Sequence, residues 1–402
     1  EIHCTQPRRI SATSLANRVA DERAQRVGQT VGYQIKLESK RSADTQILYC
    51  TTGVLLRKIQ TSNRFLNGIS HILVDECHER TQNIDLLLTL LKWVILPARQ
   101  DLRVVLMSAS ANVQLFAKYF NNAPSLQVKG KMYPVHEHYL EDVLTMLSDR
   151  WRPSMISNPR LLRREKNETD AKKRLSTISH HICSFIPPSN TTVSQKTLST
   201  LAKLDFEHHM ADTSLICELI EYIHREKPPG AILVFLPGMA SIRDIKKRLC
   251  AKKMRVLPLH STLTSEEQQA VFRSSGNDRK VVLSTNIAET SVTINDVVYV
   301  IDCGRANILG FDSETQITQL VESWISRANA LQRRGRAGRL QAGQCYKLYT
   351  RWQEQQHFSK YEKPEILRIP LHSVCLSVML LGFDPRKFLT SVIEPPTVDE
   401  IN

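Results

Sequence analysis

Ile72-Leu-Val-Asp-Glu-Cys-His-Glu-Arg80 is a short apolar run that ends abruptly in two adjacent carboxylates. Ile72, Leu73 and Val74 read as a strand buried on both faces of a parallel sheet. Asp75 and Glu76 then fall at its carboxyl end, where open α/β sheets bind their ligands. An Asp in that position suits hydrated Mg²⁺, which takes one or two carboxylates together with phosphate oxygens. A neighbouring Glu can orient or deprotonate a water that attacks a phosphoryl group. Alone, such a pair is more often an ordinary solvated loop. It has company here: Gln332-Arg-Arg-Gly-Arg-Ala-Gly-Arg339 holds four arginines in eight positions, a cluster whose natural target is phosphate.

Composition sets the outer limits. A chain of 402 residues allows two or three domains with ample core. Hydrophobic residues at 42% and charged residues at 23% match a soluble globular protein. The formal charge of +14 and pI near 9.4 favour a polyanionic partner or a positive patch, although a merely basic surface fits them too. The nine cysteines include no Cys-x-x-Cys pair, which argues against a zinc site or disulfide framework and for a reducing compartment. The most apolar run, residues 84–96, is broken by Asp85 and Lys92 and is too short to span a bilayer, so no membrane partner is expected. The chain opens on Glu-Ile-His-Cys, without a leader or an initiator Met, and is expected to be an excerpt.

Residues 1–140 alternate short apolar runs with helical periodicity, the pattern of a parallel sheet with helices on its faces. Strands are predicted at Ile47–Cys50, Ile72–Val74 and Val104–Met107, and helices at Ser14–Arg26, Val54–Gln60 and Leu86–Val94. Residues 141–212 read as a linker or insert, partly helical, with the clusters Arg163-Arg-Glu-Lys166 and Lys172-Lys-Arg174 and the pair Pro187-Pro188. Those clusters fit either a nucleic-acid contact or a solvated charged face. A second α/β unit is predicted over 213–362. Its strands are Ile232–Leu236, Val256–Leu259, Val281–Ser284 and Val297–Ile301, with a basic helix at Ser241–Ala251 and a β-hairpin over 308–322.

In this order and spacing, several stretches resemble the motifs of the DEAH-box (DExH) RNA helicases of superfamily 2. They are Thr5-Gln-Pro-Arg-Arg-Ile-Ser-Ala12, Thr51-Thr-Gly-Val-Leu-Leu-Arg57, Asp75-Glu-Cys-His78, Ser108-Ala-Ser110, Phe235-Leu-Pro-Gly238, Ser284-Thr-Asn-Ile-Ala-Glu-Thr-Ser291 and Gln332 to Arg339. The resemblance covers nearly the whole chain. A narrower likeness, carried by Arg26 to Ser39 and Val292 to Asp302, is to the subgroup of the YTH-domain helicase and benign gonial cell neoplasm. The resemblance implies an α/β fold of two RecA-like parallel-sheet lobes, over 1–140 and 213–362. The beginning of a winged-helix domain follows at 363–402. In the family, helical-bundle and OB-fold modules come next and offer surfaces to protein partners.

The same resemblance implies site residues for ATP, Mg²⁺ and RNA. Asp75 would hold Mg²⁺ through water, and Glu76 with Gln332 would position the attacking water. Arg336 and Arg339 would meet the charge developing on the γ-phosphoryl group, with Gly335 and Gly338 allowing a tight backbone on which the arginines point together. Arg18 and Phe272 would stack on adenine, although a lone Phe is as often core. Ser291 and Asn295 would lie near the nucleotide, Asn295 replacing a more usual Asp. His78, Ser108 and Ser110 would couple nucleotide state to RNA grip, or serve as ordinary turn and capping groups. RNA would be held by Arg8, Arg9, Thr51, Thr52, Ser261, Thr285 and Asn286, through phosphates and 2′-hydroxyls and without sequence readout.

Cys77 and Ser110 also depart from the usual family residues, conservatively in both cases. No Gly-x-x-x-x-Gly-Lys-[Ser/Thr] run, the phosphate cradle of such enzymes, occurs in the 402 residues. The expectation is therefore an ATP-dependent, 3′-to-5′ RNA helicase core, cytoplasmic with the nucleus as an additional compartment, whose excerpt hydrolyses ATP poorly by itself. The alternative is a non-catalytic RNA-binding scaffold that retains the helicase fold.

Overall fold

The computed structural model describes the chain except residues 62–65, 110–111, 129, 131, 148–149, 152–196, 198–199, 202–211, 251, 274–275, 277, 291–293, 313–316 and 402. Two compact units are present. The first comprises Glu1–Lys129, Ile308–Val321 and Glu362–Asn402; the second comprises Gly130–Asn307 and Glu322–Tyr361. Most of the expected 141–212 insert, with its basic clusters, lies outside the described residues.

The first unit is built on a six-stranded sheet in the order β3-β2-β4-β1-β5-β6. Its strands are β1 (Ile2–Gln6), β2 (Val31–Ile35), β3 (Glu38–Lys40), β4 (Ile47–Thr51), β5 (His71–Val74) and β6 (Arg103–Leu106). All neighbours run parallel except the β2–β3 pair. The apolar run read as a buried strand is β5, with Ile72 and Val74 wholly buried. On the other side of β5, β6 forms the margin of the sheet and leaves Val105 45% exposed.

Helix Arg9–Glu22 starts five residues before the predicted Ser14, because Arg8 is extended and the helix begins directly behind it. Its buried Ala12, Ala16 and Ala20 repeat every four residues and pack on Val31, Tyr33 and Ile35. Helix Thr52–Thr61 buries Leu55, Leu56 and Ile59. Helix Gln82–Leu90 is capped by Thr81, whose Oγ1 accepts from the Ile84 amide at 3.3 Å, and it runs on into a π-turn at Leu91–Ile95.

The residues from Lys363 onward belong to this same unit. Val374 and Val378 of helix His372–Leu380 share a core with Leu55, Leu56 and Ile59. An ionic cluster reinforces that union. Arg80, 6% exposed, donates to Asp85 Oδ1 at 2.7 Å and Oδ2 at 3.1 Å, and to Glu394 Oε2 at 2.6 Å. Burial works against the guanidinium charge, but its bonds to Asp85 and Glu394 prevail and raise its pKa. Nearby, Glu365 donates its amide to Arg80 O at 3.0 Å and accepts from the Gln82 amide at 2.8 Å.

The second unit holds a six-stranded sheet in the order β7-β14-β11-β8-β10-β9, parallel throughout. Its strands are β7 (Val135–His138), β8 (Ala231–Phe235), β9 (Met254–Leu259), β10 (Arg279–Ser284), β11 (Val297–Asp302) and β14 (Gly343–Lys347). The hairpin expected over 308–322 is β12 (Arg305–Asp312) with β13 (Ile317–Trp324). One boundary differs from the sequence reading. Residues 135–138, expected to close the first lobe, pair with β14 in the second sheet, and Leu140, Val143 and Leu144 sit in the second core. Val-His-Glu-His has no apolar run to announce a strand, which is why β7 escapes a hydrophobicity reading. Among the described residues, no helix is long and apolar enough to cross a membrane.

Replacing Arg80 leaves Asp85, which is fully buried, without its cation. Arg80→Ala is expected to cost roughly 3–5 kcal/mol, read as a lower denaturant midpoint for the first unit. An unchanged midpoint would show that the cluster carries no net stability.

Candidate functional site

The carboxylate pair sits on a tightly wound turn. β5 delivers Asp75 and Glu76 beside β1, and the Asp75 amide donates to Thr5 O at 3.1 Å. Asp75 Oδ2 accepts from Gln6 Nε2 at 2.8 Å, and Oδ1 from the Glu76 amide at 2.8 Å. Both donors are neutral, and among the described residues no ion pair reaches Asp75. Beside it, Gln6 Oε1 is buried without a hydrogen-bond partner. Glu76 (φ +51°) and Arg80 (φ +45°) both adopt the left-handed region and bracket the single 3-10 turn Cys77–Glu79. Three anchors hold that turn: the Cys77 amide on Met107 O at 3.1 Å, Arg8 on Glu79 at 3.4 Å, and the Arg80 cluster. His78 Nδ1 lies 3.5 Å from Glu76 Oε2. Cys77 is buried, which pushes its thiol up to about 12 and leaves it unreactive.

A cleft of about 890 Å³ opens on the same unit. Arg9, Lys36, Arg41, Arg57 and Lys58 line it with Thr51, Thr52 and Gly53, and no carboxylate is among its lining residues. Of the predicted RNA residues, Arg9, Thr51 and Thr52 are here. Arg8 is not in the lining and serves instead as a tie to Glu79. Thr52 is buried, and its hydroxyl donates to Gln6 O at 3.4 Å, so it braces the cleft wall from within. The sequence reading did not single out Lys36, Arg41, Arg57 or Lys58 as contacts. Arg57 closes a quoted motif and could have been found there; the others gather only through the fold.

The arginine segment of the second unit begins on helix Arg327–Gly335, which Ser326 caps by accepting from the Asn329 amide at 3.2 Å. Gln332 is half-buried on this helix. Arg333 is fully buried: Nε donates to Glu289 Oε2 at 2.9 Å, Nη1 donates to Asp302 Oδ1 at 2.7 Å, and the guanidinium lies 4.9 Å from the Phe235 ring centroid. Burial opposes its charge, yet Asp302 and Glu289 prevail and drive its pKa further up. Arg334 donates to Glu137 Oε1 at 2.7 Å, Arg336 donates to the Glu289 carbonyl oxygen, and Arg339 is exposed. The four arginines therefore do not share one open face: Arg333 and Arg336 are buried and both reach Glu289, Arg334 pairs with Glu137, and Arg339 is exposed. The two glycines differ as well. A Cβ on Gly335 would meet only the Met132 methyl at 3.3 Å, whereas on Gly338 it would fall 2.6 Å from Tyr133 O and 2.8 Å from Val135 Cγ2. Gly338 is the one fixed by close backbone approach.

The remaining predicted residues occupy varied settings. Arg18 is exposed and paired with Glu22 at 2.6 Å, on the first unit. Phe272, on the second, is 38% exposed at the end of the 3-10 turn Ala270–Phe272, so it is not a core residue. Ser261 and Asn286 are exposed, Thr285 is buried with its amide on Leu259 O at 3.4 Å, and Asn295 is exposed just before β11. Ser108 is half-buried after β6. Ser110 and Ser291 lie outside the described residues. Among the described residues no cluster of three or more His, Cys, Asp or Glu side chains could hold a metal ion.

Comparison with known proteins follows the same lines. Residues 213–341 match the Helicase conserved C-terminal domain. The chain is 43% identical over 407 residues to the DExH-box ATP-dependent RNA helicase DExH1 of Arabidopsis thaliana, covering 98% of this chain and 40% of the relative. It is 39% identical over 416 residues to the human ATP-dependent DNA/RNA helicase DHX36, covering 100% and 41%. The crystal structure of the Escherichia coli DEAH/RHA helicase HrpB superposes with a TM-score of 0.74 at 26% identity, over 100% of this chain and 43% of that one. The chain thus spans well under half the length of these relatives. With two α/β sheets that are parallel except at the β2–β3 pair, and with DExH-box and DEAH/RHA helicases matching 98–100% of its length, the chain belongs to the DEAH-box (DExH) family of superfamily 2 helicases.

Proposed function

We propose that this chain is the motor core of an ATP-dependent RNA helicase, which uses hydrolysis to move single-stranded RNA, 3′ to 5′, and to unwind it. The observation that carries the reading is the cleft of the first unit, lined by five cations and no carboxylate. Guanidinium and ammonium groups there would take phosphates, while the hydroxyl and backbone groups of Thr51–Gly53 would take sugar and phosphate oxygens. Contacts of this kind go to the backbone and carry no base identity, which suits a motor that must pass any sequence.

Support for the nucleotide half comes from Asp75. Among the described residues Asp75 is met only by neutral donors and by no cation, and the orphaned Gln6 Oε1 beside it is a further acceptor. Both fit a hydrated Mg²⁺, which would bring charge neutralisation to the phosphates of ATP. Glu76 and Gln332 would position the attacking water. Arg336 and the exposed Arg339 would meet the phosphoryl charge, Arg18 and Phe272 the base, and Asn295 the ribose. Because these residues include no phosphate-cradling glycine loop, we propose weak hydrolysis by the 402 residues alone. All eight described cysteines carry free thiols, which suits the cytoplasm as the working compartment.

Binding of fluorescent oligouridylate, followed by anisotropy against salt, tests the cleft. Arg9→Ala is expected to weaken binding uniformly across sequences and to lower the salt slope by about one. An unchanged slope would remove Arg9 from the phosphate path. The catalytic half is tested by RNA-stimulated phosphate release, on this chain and on the natural full-length protein. Release is expected to be strong only in the latter and to fall at least about a hundredfold with Glu76→Gln. If neither hydrolyses ATP while both bind RNA in a salt-sensitive way, the chain is instead a non-catalytic RNA-binding scaffold.

A further inference from the structure

We infer that the RNA track of the first unit continues past the basic cleft into a second subsite, which seats one more nucleotide with its phosphate on Arg57 and its base on Leu380. This inference rests on the RNA-binding reading above. The subsite is a groove of about 480 Å³ bounded by Gly53, Arg57, Gln60, Thr61 and Leu380. It shares three of those residues, Gly53, Arg57 and Thr61, with the cleft, so the two adjoin along one helix.

Helix Thr52–Thr61 supplies the wall. Gly53, Arg57 and Thr61 are exposed at intervals of four residues and so line one face, about 12 Å from end to end at the rise of an α-helix. The opposite face is locked in the core by Leu55, Leu56 and Ile59. Val374 and Val378 belong to that core too, so helix His372–Leu380 is held rigidly against the wall and the position of Leu380 is fixed.

The chemistry of the groove is that of a nucleotide rather than of a protein segment. Among the described residues no carboxylate pairs with Arg57, and none lines the groove, so an anion entering from the cleft meets an uncompensated cation. Leu380 is 70% exposed, with Leu376 and Met379 beside it at 61% each. A flat apolar surface laid on Leu380 would release that hydration, and an unpaired base has such a surface on either side. The Gln60 amide can bond a sugar or phosphate oxygen. A protein helix on the Leu376–Met379–Leu380 stripe would use none of this polarity.

The test measures affinity for oligouridylates lengthened one nucleotide at a time, on the chain as it stands. The wild type is expected to gain about threefold or more when the nucleotide that reaches the groove is added. Leu380→Ser should remove this gain and leave the affinity for shorter oligomers unchanged; Leu380→Met should keep it. An abasic residue at the same position should cost the wild type the same factor and cost Leu380→Ser nothing. If short oligomers bind but Leu380→Ser follows the wild-type length profile, the subsite is refuted and the cleft stands. If no oligomer binds at any length, the RNA-binding reading itself fails.

Discussion

A guanidinium taken out of water must be met by carboxylates, and Arg80 and Arg333 impose that condition on the two units. Each is the fixed point of a functional segment. Arg80 ends the turn that carries Asp75 and Glu76, and its partners Asp85 and Glu394 come from the following helix and from the far end of the chain. Arg333 sits between Gln332 and Arg336; of its partners, Glu289 lies in the segment before β11 and Asp302 is the last residue of β11. Since breaking either pair strands a buried charge, neither segment can drift without a large cost. Preorganisation of this kind is what a site acting on phosphate requires.

Backbone strain is the second element of that preorganisation. Neither Glu76 nor Arg80 is a residue that favours the left-handed region, yet both adopt it within five positions. Each such residue costs on the order of 1–3 kcal/mol and persists only where its surroundings over-determine it. Here Arg8, the Met107 carbonyl and the Arg80 cluster do so. The turn places the Glu76 carboxylate by spending folding energy that hydrophobic burial supplies elsewhere in the unit.

Much of this was legible in the sequence, for identifiable reasons. The run Ile72–Val74 followed by two carboxylates has one sensible reading in a parallel sheet, and β5 bears it out. Strands announced by apolar runs were found, β8 to within a residue and β9 and β10 to within two. Strands without such a run were missed: β7 alternates histidines with Val135 and Glu137, and β3 is three polar residues. The motif residues were visible by type and order, but their partners were not. Arg333 meets carboxylates 31 and 44 residues away, and Arg334 one that is 197 residues away. No local pattern encodes such pairings. For the same reason the arginines could be read as one cluster when the fold distributes them to separate tasks.

The margin of the first sheet has a practical consequence. Among the described residues β6 pairs only with β5, so its outer row of amides and carbonyls is open to further strand pairing. Arg103-Val-Val-Leu106 contains no proline or lysine to deter a visiting strand, and Val105 adds an apolar contact. Such a margin is a template for edge-to-edge pairing between molecules. A strand supplied there by any further segment would find its backbone partners already aligned, and slowed hydrogen exchange at Arg103–Leu106 would report its arrival.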